Sequence, residues 1–182
     1  MGFHRGAEKT EIARVLGVDL AGVPVYEFSM ITQKMKYALK ALMVLADEKA
    51  GNGASLRIEE IAKRSGTPKR FLEHILLEVR NAGVIASTRG RSGGYTLVME
   101  PAAVSVSELL RLIDGPIAPL ACLSRSAYQR CEDCSDEETC RIRKVFAEIF
   151  WSYLVLIDSL TLADLVNSAP VAAQVLNTAV AE

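Results

Sequence analysis

A chain of 182 residues, half of them apolar and 24% charged, can bury a sizeable core and is not of a composition that stays disordered. Its net charge of -1 conceals a division: residues 1–29 hold three Lys/Arg and four Asp/Glu, residues 30–95 twelve and six, and residues 96–182 six and twelve. A basic first half and an acidic second half point to a polyanion-binding module joined to a part with another task, and the longest unbroken apolar run, Ala41 to Ala46, is far below the roughly 20 residues needed to cross a membrane.

Residues 1–29 show only a weak helical pattern near Glu11 to Leu16, and Gly17, Gly22 and Pro24 interrupt it. They read as a loosely attached extension, with Met30 a candidate natural start. Asp19, Pro24 and Glu27 break any signal-peptide core, so a cytoplasmic location is expected. Residues 33–46 form the first predicted helix, apolar almost all round from Tyr37 and therefore buried on several sides. A loop is expected from Asp47 to Ser55. Ile58 to Ser65 is a short amphipathic helix that Gly66 stops. Pro68 suits the first turn of the next helix, in which Phe71, Leu72, Ile75, Leu76 and Val79 recur at helical spacing as far as Asn81, with Gly83 beyond. Two helices joined by a few residues with a Gly are a helix-turn-helix pattern.

Val84–Thr88 and Tyr95–Val98 read as strands around a glycine-rich tip, Arg89 to Gly94, and a hairpin in that position is a wing. Ser105 and Glu108 form a capping box for a helix through Ile113. Gly115, Pro116 and Pro119 then open a cysteine-bearing loop, residues 115–140. Ser135 and Glu138 make a second box, predicting a long helix from Asp136 to Ser159 and a short turn from Leu162 to Val166. Its apolar positions (Ile142, Val145, Phe146, Ile149, Phe150, Tyr153, Leu156, Ile157 and Leu160) are too many for a lone surface helix and suit helix-helix dimer packing. Residues 167–182 are expected to be a flexible tail. The fold class expected is mostly α with a small β wing: a winged helix-turn-helix over residues 30–114 followed by a dimerisation helix within residues 136–166.

A helix that enters the major groove must present polar side chains. The second helix of the motif offers Lys69, Arg70, Glu73 and His74 near its N-terminal end, of which Arg70 can fork onto guanine and Glu73 can accept from cytosine. Thr67 stands where a helix N-terminus meets a phosphate. Arg89 and Arg91 stand on a glycine-rich tip suited to a minor groove. Any one of these is more often a solvated surface residue, but the order helix, helix-turn-helix, basic wing, acidic dimer helix favours binding of double-stranded DNA.

The segments MITQKMKYALKALMVLA, IEEIAKRSGTPKRFLEHILLEVRNAGVIASTRGRSGGYTL and SLTLADLV, with the cysteine loop, resemble the Rrf2 family of bacterial transcription regulators. The resemblance runs from Met30 to about Val166. It implies a homodimer in which each long C-terminal helix crosses the other, and it implies that Arg70, Glu73 and the wing arginines lie near DNA. Where the family often has Ser or an aromatic residue, this chain has Arg70 and Phe71.

Cys122, Cys131, Cys134 and Cys140 are the only cysteines, separated by eight, two and five residues. In a reducing compartment such a cluster points to metal or redox chemistry before disulfides. Thiolates ligate iron-sulfur clusters and structural zinc alike. Cys140, placed in the first turns of the predicted helix, would have its thiolate favoured by the free N–H groups there. Glu132, Asp133, Asp136, Glu137 and Glu138 add opposing negative charge. Cluster-sensing members of the resembling family usually carry three cysteines and a different fourth ligand, whereas the positions of those other ligands here are Arg143 and Lys36, neither of which can serve. A self-contained four-thiolate set is the expectation, with an iron-sulfur cluster ranked before zinc and zinc before metal-free reactive thiols. Of the two cluster types, [2Fe-2S] is preferred to [4Fe-4S]. The function expected is a cluster-modulated repressor or activator reading a pseudo-palindromic operator. The alternative is a cluster-free or zinc-containing regulator controlled by a protein partner or by thiol oxidation. An enzyme is not expected: no βαβ pattern accompanies Cys131 and Cys134, and no catalytic triad or phosphate loop is present.

Overall fold

The computed structural model describes residues 31–90 and 93–168, all in the unit that begins at Ile31. Helix α1 spans Gln33–Ala50. Thr32 caps it, its hydroxyl accepting the Met35 N–H while donating to Asp114. The helix outruns the expected end at Ala46 because tertiary partners hold its polar last turn. Glu48 pairs with Arg64 at 2.8 Å, and the Lys49 ammonium donates to the Val98 and Met99 carbonyls at 2.9 and 3.0 Å. The expected loop therefore starts only at Gly51.

Helix α2, Ile58–Ser65, has Glu59 and Glu60 in its first turn and Lys63 and Arg64 in its last, which complements the helix dipole at both ends. Gly66 closes it in the left-handed conformation, φ 63°, where a Cβ would be strained. Helix α3, Lys69–Asn81, starts after Pro68. Met35, Ala38, Leu42 and Leu45 of α1 are buried with Ile61 of α2 and with Leu72, Ile75, Leu76 and Val79 of α3 in one core. The apolar spacing read from the sequence thus aims three helices at each other, with one exception: Phe71 lies outside that core.

Strands β1 (Ile85–Thr88) and β2 (Gly94–Leu97) form an antiparallel pair with Thr88 opposite Gly94 at the tip. Leu56 adds a third backbone to the hairpin, exchanging hydrogen bonds with Tyr95 at 3.0 and 2.8 Å. A Cβ on Gly94 would stand 2.5 Å from the Leu56 carbonyl oxygen, so only glycine admits this third chain. Helix α4, Val106–Ile113, is capped by Ser105, whose hydroxyl accepts the Glu108 N–H.

The long C-terminal helix differs from expectation at its start. Helix α5 spans Arg141–Ser159, beginning five residues later than the capping pattern at Ser135 predicts. The Asp136 carboxylate accepts the Glu138 N–H at 3.0 Å, a local turn that competes with helix. The cap is instead Cys140. One face of α5 places Phe150, Leu154 and Ile157 in the core shared with α1–α4. Its C-terminal end is stitched to the start of α4: Val106 N–H donates to Leu160 O and Leu162 N–H to Val104 O, both at 2.9 Å, and Arg111 pairs with Asp158 at 3.1 Å. Helix α6, Leu162–Val166, opens with a reciprocal capping box between Thr161 and Asp164. The architecture is mostly helical with one small two-stranded wing. No helix among the described residues is long and apolar enough to cross a membrane.

Candidate DNA-reading surface and candidate cysteine centre

Helix α3 buries Leu72, Ile75, Leu76 and Val79, which leaves Lys69, Arg70, Phe71, Glu73, His74 and Leu77 on its free face. Arg70 lies over the Phe71 ring, its guanidinium carbon 4.8 Å from the centroid, and the Tyr37 ring packs against Phe71 at 5.6 Å. The cation-π contact orients the guanidinium. Phe71 was expected inside with its neighbours; it is 42% exposed because its contacts are Tyr37 and Arg70. Sequence spacing gave no sign of this, since the residue lies at the edge of the apolar stripe.

Lys69 is engaged as well. It is paired with Glu59 of α2, and that hydrogen bond holds the Glu59 carboxyl below and the Lys69 ammonium above their ordinary ranges. Glu59 escaped the sequence reading, being on a different helix with no pattern to connect the two. Thr67 corrects an expectation. Its side chain is only 2% exposed and its hydroxyl has no partner, while its N–H is spent on Ala62 O at 3.1 Å. The residue that follows the left-handed turn is folded under it, so its hydroxyl does not face a phosphate. On the wing, Arg89 is exposed beside Gly90, whose φ of 103° only glycine adopts readily. Arg91 lies outside the described residues. Arg80 of α3 donates to the Ser87 hydroxyl at 3.5 Å, linking α3 to the wing.

The four cysteines come together. Cys122 is buried on a single 3-10 turn, Ala121–Leu123. Cys131 and Cys134 sit in a loop turn closed by Cys134 N–H to Cys131 O at 3.3 Å. Arg130 fastens that turn by donating to the Cys134 and Ser135 carbonyls at 3.1 and 3.0 Å. Cys140 stands at the N-cap of α5, not inside it, and its sulfur accepts the Arg143 N–H at 3.4 Å. All four thiols line one cavity of about 370 Å³, with Leu120, Ile142 and Arg143 also in its wall. None of them is in a disulfide.

Burial is the largest cause raising the Cys131 and Cys134 thiols above their usual range; a hydrogen bond with Cys122 adds to the first and the nearby Cys140 to the second. The acidic residues are partly answered. Asp136 is hydrogen bonded to Thr139 and to the Glu138 N–H and is held low. Glu137 accepts from Tyr128 and lies beside Arg143. Among the described residues, no three His, Cys, Asp or Glu side chains stand close enough to grip a single ion. Four thiols spread around a cavity of this size, backed by apolar Leu120 and Ile142, fit a group larger than one ion.

Residues 31–168 match the Rrf2 family, described as iron-dependent transcriptional regulators. An rrf2-like HTH-type transcriptional regulator of Rhodobacter capsulatus is 71% identical over 148 residues, covering 81% of this chain and 99% of the relative. CymR, the global cysteine regulator of Bacillus subtilis, is similar in structure with a TM-score of 0.60 and 30% identity, over 76% of this chain and 97% of its own. IscR of T. potens gives a TM-score of 0.58 at 25% identity, over 78% of this chain and 89% of its own.

Proposed function

The chain belongs to the Rrf2 family of transcriptional regulators, which are not enzymes, and from that premise we propose that it acts as a DNA-binding homodimer whose four cysteines hold one iron-sulfur cluster. The observation that carries the cluster reading is the convergence of Cys122, Cys131, Cys134 and Cys140 on a single cavity. When bound, the cluster supplies a reversible one-electron change at that site. The chain's own residues do the rest. Cys122 roots the loop in the core, and Cys140 joins it to the first residue of α5. With all four held, the segment between α4 and α5 has one shape; released, it regains backbone freedom of roughly 1–2 kcal/mol per residue. That is enough to change how the free end of α5 projects.

The dimer reading rests on the outer face of α5, where Ile142, Val145, Phe146 and Ile149 are exposed in the single chain. Such a stripe left uncovered is an aggregation hazard. Two copies joined there would set two α3 helices about a two-fold axis. The DNA read would then be a pseudo-palindrome with half-sites about one helical turn, or a multiple of it, apart. Arg70 and Glu73 read base edges, and Lys69 and the wing arginines, Arg89 and Arg91, hold the backbone and minor groove. Three measurements test this. Sequences selected for binding show a dyad, and Arg70→Ala loses about 1–3 kcal/mol with relaxed choice at one base pair per half-site. Single Cys→Ser proteins prepared without oxygen lose iron and sulfide. A selected set without a dyad contradicts the docking, and four Cys→Ser proteins with full iron and sulfide contradict the cluster.

A further inference from the structure

Arg143 lies in the first turn of α5 and forms part of the wall of the cysteine cavity. Its Nε–H is shut off from solvent and has no hydrogen-bond partner. Glu137, its ion-pair partner, holds a carboxylate oxygen 3.7 Å from that nitrogen, beyond hydrogen-bond range. The main chain of the same residue already donates to Cys140 Sγ at 3.4 Å. A guanidinium is permanently charged, and a buried donor on it is costly to leave unmade. The cavity it borders offers four sulfurs, which are weak acceptors as thiols and much stronger ones as thiolates, where the hydrogen bond is charge-assisted.

We infer that Arg143 is a positioning residue of this centre: its orphaned Nε–H donates to a sulfur of the cluster-loaded site, and its charge offsets that of the four thiolates. The inference rests on the cluster reading above. Hydrogen bonds and charge at the sulfurs set the reduction potential of such centres. Reduction adds an electron to an already anionic set of ligands, so a fixed cation in the wall favours the reduced state.

The test uses the full chain, Arg143→Gln and Arg143→Lys, all purified without oxygen, with iron and sulfide measured before dye-mediated titration with dithionite. Arg143→Gln is expected to keep the parent's iron and sulfide and to shift the midpoint negative by about 59 mV, a tenfold change in the reduced-to-oxidised ratio for one electron. Arg143→Lys keeps the charge but loses the fork and falls between. A loaded Arg143→Gln with the parent's midpoint overturns the inference, as does a loaded Arg143→Lys indistinguishable from the parent if only that variant retains its cluster. Thermal unfolding gives a second reading. Without the cluster, Arg143→Gln loses only its partly exposed ion pair with Glu137, so its melting point falls slightly, and with the cluster it falls further; equal destabilisation with and without the cluster refutes the contact. A parent protein with no iron and sulfide overturns the cluster reading itself, and is recognised before any variant is compared.

Discussion

Replacing Ile149 by Glu and, separately, Phe150 by Ala places two neighbouring substitutions on different faces of α5, one exposed and one buried. Ile149 is 61% exposed in the single chain and Phe150 only 5%. Full burial of an isoleucine side chain is worth about 1.5–3 kcal/mol. Covering the three-fifths of Ile149 left open therefore contributes about 1–2 kcal/mol per copy and, since a two-fold interface uses the residue twice, about 2–4 kcal/mol per dimer. At 1.4 kcal/mol per decade, its loss raises the dimer dissociation constant about thirty- to a thousand-fold, before the cost of placing two carboxylates in an apolar interface is added. Phe150→Ala instead removes a ring from the subunit's own core, costing about 3–5 kcal/mol of folding stability. Sedimentation velocity over a micromolar concentration series, with circular dichroism on the same samples, separates the two. Ile149→Glu is expected to sediment as a folded monomer. If it remains a dimer with the parent's concentration dependence, the outer face of α5 is not the interface.

Glu59→Gln releases Lys69 from its ion pair and removes a carboxylate beside the reading face; DNA affinity measured by anisotropy should rise, most at low salt, with little change in stability. Thr67→Val replaces a buried, unpartnered hydroxyl by a methyl of similar size, so urea unfolding should show equal or greater stability and DNA affinity should not change; a loss of affinity would restore Thr67 as a phosphate contact. Asp158 is held below the ordinary carboxylate range by the Ser107 hydroxyl and Arg111. Its contribution is therefore full above the unfolded value of about 3.9 and is lost as pH falls through the lower folded value. Asp158→Asn should flatten that part of the acid unfolding curve, by a modest amount because the pair is exposed.

The helix-turn-helix and wing were legible because their information is local. Periodic Leu72, Ile75, Leu76 and Val79 define one face of α3, and Gly66 and Gly90 take the left-handed turns that glycine favours. What was not legible depends on partners distant in sequence. The last turn of α1 exists through Arg64, Val98 and Met99, and Phe71 is out because Tyr37 and Arg70 hold it there. The start of α5 shows a different limit. Ser135 and Glu138 have the residue types of a capping box, yet Asp136 between them offers a competing turn, and Cys140 takes the cap. Spacing drew attention to the four cysteines, but only the folded loop, fastened by Arg130, shows that Cys122 stands with the other three.

The most direct test of the central claim is metal and sulfide analysis of the full chain purified without oxygen, together with its visible spectrum. A cluster held by Cys122, Cys131, Cys134 and Cys140 predicts iron and acid-labile sulfide in equal amounts, with absorption that bleaches on reduction. Zinc without sulfide, or a colourless protein free of metal, would contradict it and leave the cavity to some other occupant of the four thiols.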